Sequence, residues 1–108
     1  MRTITQSDIS SAARRLLLLP DDQWRDAIAR ALAIAHAADL FCKRLGRCHP
    51  IWGDGTLAAA VRVGGRLPAE PFLSDRRYLA AVGEVIDVIL EWRSRQNVKS
   101  PLARAGFL

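Results

Sequence analysis

Trp24-Arg25-Asp26-Ala27-Ile28-Ala29-Arg30-Ala31-Leu32-Ala33-Ile34-Ala35-His36-Ala37-Ala38-Asp39-Leu40-Phe41-Cys42-Lys43-Arg44-Leu45 repeats its apolar residues at intervals of three and four. Trp24, Ala27, Ile28, Ala31, Leu32, Ala35, Ala38, Cys42 and Leu45 therefore fall on one stripe of a helix. Asp21 and Asp22 place negative charge at its start, where the helix dipole favours it, and Gly46 ends it. The helix predicted over about 22–45 is about 35 Å long at the α-helical rise, more than the compact core of a chain this size demands. Ala31, Ala33, Ala35, Ala37 and Ala38 widen the apolar face with side chains small enough to let another backbone come close. Such a helix often packs on copies of itself, and Trp24, Ile28, Ala31, Leu32 and Ala35 are expected at that interface.

The flanks follow the same logic. Upstream, Thr5 with Asp8 three positions on reads as a capping box, with Ile4 and Ile9 placed as a hydrophobic staple. The helix they open is predicted over about 6–19 and is stopped by Pro20. Downstream, Cys48-His49-Pro50-Ile51-Trp52-Gly53-Asp54-Gly55-Thr56 cannot continue a helix, so the chain must turn there while holding a large aromatic group. His49, Trp52 and Asp54 are the residues of that structural turn. Asp54 or Thr56 then caps a short helix of about 56–63, ended by Gly64 and Gly65. Arg66-Leu67-Pro68-Ala69-Glu70-Pro71-Phe72-Leu73 is a proline-stiffened connection, and Ser74 is expected to cap a helix over about 75–96. The prediction is an all-α single domain over 1–108: two long antiparallel helices, about 22–45 and 75–96, a shorter one at about 6–19 and a short one at about 56–63. Residues 97–108 read as a basic tail with an apolar tip, Phe107-Leu108.

Composition bounds the function classes. The chain has 108 residues, 50% hydrophobic and 25% charged, one domain's worth with a real but thin core. No apolar run approaches the roughly 18 residues of a membrane span, and the first residues show no secretory pattern, so a soluble, cytoplasmic protein away from membranes is expected. The formal charge is +5, with 16 Lys and Arg against 11 Asp and Glu. Lys43, Arg44, Arg47, Arg62 and Arg66 make the middle basic, and Arg93, Arg95, Lys99 and Arg104 make the end basic. An anionic partner fits this distribution, although solvated helix faces would produce it too.

Dedicated chemistry finds little footing. His36, Cys42, Cys48 and His49 are zinc-ligand types, yet no Cys-x-x-Cys pair occurs and the spacing of His36 and Cys42 points them apart; two reduced, buried helix-end cysteines are the simpler reading, with no metal and no cofactor. His49 and Asp54 could form an orienting pair, but Asp in a Gly-Asp-Gly turn usually bonds nearby backbone, and His before Pro commonly packs on an aromatic. No phosphate-binding glycine loop is present, and the expectation is a protein that is not an enzyme. A helix-turn-helix formed by the first two helices would drive Asp21, Asp22 and Asp26 toward phosphates around a single Arg25, which argues against major-groove reading.

The run from His49 to Ala60, with Glu70-Pro71-Phe72-Leu73-Ser74-Asp75 after it, resembles short alphaproteobacterial proteins of gene transfer agent clusters, in particular the small terminase subunit. That resemblance implies a helical, ring-forming, phage-like DNA-packaging protein that binds DNA at a basic periphery and assists a large terminase motor. The separate N-terminal recognition domain of many small terminases has no counterpart here, which suits packaging of arbitrary DNA. The expected function is thus a non-catalytic packaging accessory, a homo-oligomer whose Arg93, Arg95, Lys99 and Arg104 meet double-stranded DNA weakly and non-specifically, or meet the large terminase. The alternative is a small helical interaction adaptor or regulator that binds no DNA.

Overall fold

The computed structural model describes residues 2–99, and their secondary structure is helical apart from one isolated bridge. α1 spans Gln6–Leu16, a single 3-10 turn covers Asp21–Gln23, and α2 spans Trp24–Leu45. The short α3, Leu57–Val61, follows the corner, and α4 spans Arg76–Lys99. The all-α expectation with two long helices holds. Residues 97–99 continue α4 instead of opening the tail, and 100–108 lie outside the described residues.

Local chemistry sets the boundaries. The Thr5 hydroxyl accepts from the Asp8 amide while the Asp8 carboxylate accepts from the Thr5 amide at 2.8 Å, the reciprocal capping box. α1 stops at Leu16, a few residues earlier than expected, because the chain tightens into turns ahead of Pro20. At α4 the cap is Asp75, one residue after the expected Ser74: its carboxylate accepts the Tyr78 amide at 3.0 Å.

α2 and α4 are not antiparallel. Contacts climb both helices together: Asp21 meets Arg77, Arg25 meets Glu84 and Asp87, and the His36 ring meets Trp92. The two run in the same sense, because a connection of this length, carrying α3, returns the chain to the level of α2's start, where a short loop would have enforced the antiparallel neighbour. α1 runs against α2, with Leu19 beside Trp24 and Arg2, ahead of its start, beside Asp39, and it crosses the first turn of α4, where Ser10 meets Tyr78 and the Leu19 carbonyl accepts from Arg77.

The core sits where the four helices converge. Leu16 from α1, Ile28 and Leu32 from α2, Leu57 from α3, and Tyr78 and Val85 from α4 are its largest fully buried members. Trp24, Ile28, Ala31, Leu32 and Ala35, expected between copies, are all buried here within one chain. That expectation is corrected: the alanines do admit a close backbone neighbour, but the neighbours are the chain's own helices.

Candidate functional site

The corner is built from its backbone outward. His49 and Gly53 exchange both amide bonds, at 2.9 and 3.1 Å, closing a tight loop over Pro50-Ile51-Trp52. Inside it, His49 Nδ1 accepts the amides of Ile51 and Trp52, at 3.1 and 2.9 Å. The imidazole stacks on Trp52, centroids 4.4 Å apart and planes 12° apart, and meets Phe41 of α2 edge-on at 4.7 Å. Asp54 accepts the Thr56 amide and hydroxyl at 3.0 and 2.7 Å, and those bonds hold its carboxyl below the usual carboxylate range. Thr56 in turn caps α3 by accepting the Ala59 amide. His49, Trp52 and Asp54 thus form the structural turn, and these hydrogen bonds take His49 and Asp54 to the backbone and to the Thr56 hydroxyl instead of to each other.

The glycines admit close approach. A Cβ on Gly55, at φ +93°, would lie 2.8 Å from the Cα of Asp39, and one on Gly53 would lie 2.7 Å from the Ala59 side chain. The corner is therefore pressed directly onto α2. Cys42, half-buried, adds a long contact, its sulfur 3.7 Å from the Gly53 carbonyl, whereas Cys48 is exposed, so the expected burial of both cysteines does not hold. Among the described residues no group of three or more His, Cys, Asp and Glu could hold a metal ion.

Two buried carboxylates lie beneath the corner, and sequence reading gave neither a long-range role. Asp8, 4% exposed, receives the Ala58 amide of α3 at 3.0 Å on the oxygen opposite its capping-box bonds. One carboxylate thereby caps two helices whose positions differ by fifty in sequence. Asp39 is held below the usual carboxylate range by Lys43, 3.0 Å away, and Arg2 approaches it at 3.9 Å.

The molecule's surface holds the remaining candidates. Arg95 donates to Glu91, which also pairs with Arg25, so Arg95 belongs to a chain of charges linking α2 and α4. Arg93 is exposed and has no ion pair among the described residues; the side chain of Lys99 and all of Arg104 lie outside them. On the same helix, Leu79, Ile86 and Leu90 stay 53%, 42% and 60% exposed. With Gly83 they follow the four-three-four spacing of a helix-pairing seam, and open space lies beside Gly83. The seam was hidden in the sequence because Leu79, Ile86 and Leu90 alternate with the buried Val85, Val88 and Ile89, so the two faces read as one broad apolar face. Among the described residues Ile51 at the corner and Phe72 on the connection are the most exposed large apolar side chains, at 67% and 86%.

No helix is long and apolar enough to cross a membrane among the described residues. Neither the curated proteins nor the solved structures contain a match to the chain. The family model described as Domain of unknown function (DUF7742) matches residues 2–89, from ahead of α1 to within α4, and the chain belongs to that family.

Proposed function

We propose that the chain is a non-catalytic DNA-packaging accessory protein of the small-terminase type, acting in the cytoplasm. It assembles with copies of itself into a ring, touches double-stranded DNA weakly and without reading sequence, and serves a large-terminase motor. The observation that carries this reading is the outward face of α4, where the seam Leu79, Gly83, Ile86 and Leu90 leads directly to the exposed Arg93, with Arg95 in the same turn on the side toward α2. The interface is thereby moved from α2 to α4. Packing of this seam on a different face of the next copy would close a ring with several basic ends side by side, and phosphate contacts too few to matter in one chain would add across the assembly. Commitment of His49 and Asp54 to the corner's backbone supports a structural rather than a catalytic role for that region.

Light scattering after size exclusion tests assembly, and gel shift of random duplex DNA over a salt series tests the charge. A discrete oligomer that Ile86→Asp with Leu90→Glu reduces to a folded monomer is the expected outcome; a wild-type monomer at every concentration would refute the reading. DNA binding should collapse between low and physiological salt, and Arg93→Ala with Arg95→Ala should weaken it at low salt. The adaptor reading is favoured by the exposure of Ile51 and Phe72, and it predicts no shift at any salt concentration.

A further inference from the structure

A groove of about 410 Å³ opens between α1's end, α2 and α3, away from the α4 seam. Its floor is apolar and shallow because Ala27 and Ala31 of α2 meet Ala60 of α3 there, with Ile34 and Val61 as walls. Two guanidiniums, Arg15 and Arg30, stand on its rim against a single carboxylate, Asp26. Arg15 is tied to the Gly64 carbonyl at 3.3 Å, whereas Arg30 is exposed and makes no hydrogen bond or ion pair among the described residues. The chain leaving α3 adds Arg62 and Arg66, both exposed and likewise without ion pairs among the described residues. An apolar trough rimmed by excess positive charge complements an apolar segment flanked by carboxylates.

We propose that this groove is a docking site for an acidic amphipathic helix of a partner protein, which lays Leu-sized side chains on the alanine floor and pairs carboxylates with Arg30 and Arg15. The alanines are what make it work: a helix at ordinary packing distance fits only where the opposing side chains are small. The groove's open side and the spread of its cations suit a peptide with several carboxylates better than a fatty acid with one.

The test uses the full chain, labelled with nitrogen-15, and a synthetic helical peptide carrying three Leu at helical spacing with Glu beside them. Amide shifts confined to residues around Ala27, Ile34 and Val63 are expected, with affinity falling as salt rises. Replacing every Glu of the peptide by Lys should abolish binding. Arg30→Glu, at an exposed position outside the core, should weaken it at least tenfold, while Arg93→Glu leaves it unchanged; Ala27→Leu, which fills the trough, should also weaken it. Equal binding of the Lys peptide, an unchanged affinity of Arg30→Glu, shifts that map to Leu79, Ile86 and Leu90, or no shifts at millimolar peptide would each overturn the proposal. Shifts at the groove with dodecanoate but not with the peptide would overturn it in favour of a lipid ligand.

Discussion

Replacing Asp8 by Ala should be among the most damaging single changes in the molecule. Its carboxylate accepts the Thr5 amide at 2.8 Å and the Thr5 hydroxyl at 3.1 Å on one oxygen, and the Ala58 amide at 3.0 Å on the other. Removing it costs about 1 kcal/mol for the capping box and about 2 kcal/mol for a charge-assisted bond whose donor is left beneath the corner, about 3 kcal/mol together. At about 4–8 °C per kcal/mol for a domain near this size, the melting temperature should fall by about 12–24 °C. Asp8→Asn is diagnostic because it keeps the shape: its amide nitrogen must face either the Thr5 or the Ala58 N–H, donor against donor, so one of the two helix starts loses its partner. Its cost should be about 2 kcal/mol, whereas Thr5→Ala, which leaves the Ala58 bond in place, should cost about 1 kcal/mol. Urea titrations followed by far-ultraviolet circular dichroism at fixed protein concentration measure all three. An Asp8→Ala protein within about 0.5 kcal/mol of the parent would refute the double-cap assignment, since surface substitutions alone stay in that range.

Other outcomes follow from neighbouring contacts. Asp54 and Asp39 are held below the usual carboxylate range in the folded state, so the stability they contribute is present above an unfolded value of about 3.9 and is lost as pH falls through their folded values. Stability should therefore be level from neutral pH to about 5 and fall below about 4, and Asp54→Asn should flatten that acid limb; an unaltered limb in pH-dependent urea melts would contradict the Thr56 bonds as its source. Gly55→Ala puts a methyl 2.8 Å from α2's backbone at positive φ and should cost about 3 kcal/mol, with thermal unfolding as the measurement. Trp24→Phe loses the indole bond to the Leu19 carbonyl at 3.1 Å and weakens the Arg77 contact 5.0 Å above the ring, about 1–2 kcal/mol in all, and a urea midpoint equal to the parent's would count against both. Arg25→Ala removes ion pairs to Glu84, Asp87 and Glu91 that are all partly exposed, so the urea midpoint should move little and the difference should shrink further in high salt; a large, salt-independent drop would contradict this reading.

What could be read in advance was what depends on neighbours in sequence. The Thr5 and Asp8 box, the stop at Gly46, the Thr56 cap and the packing of His49 on an aromatic are each decided within a few residues. What could not be read depends on partners far along the chain. Asp8 was visible as a cap for α1 but not for α3, because nothing near Ala58 announces that its amide needs a distant acceptor. The stripe from Trp24 to Ala35 was visible as buried, but periodicity carries no information about whose side chains bury it. In the structure α1, α3 and α4 divide it among them, and the unpartnered face proves to be on α4, where Leu79, Ile86 and Leu90 differ from their buried neighbours only by phase. The sense of α2 against α4 escaped for a similar reason: it is set by the path of the connection between them, not by either helix.

That path has a mechanical consequence. With α1 running against α2, and α2 and α4 in the same sense, the described chain begins and finishes at one pole: Arg2 lies beside Asp39, and within a turn of it on the same helix His36 touches Trp92 near the end of α4. Tension between residues 2 and 99 would therefore pull at two ends that share a pole and lift α1 from α2 edge-first, its contacts bearing the force one after another. Tension between Pro20, at the far pole, and Gln96 would instead stretch the packed helices lengthwise and engage every layer together. The same fold is soft or stiff according to where it is held.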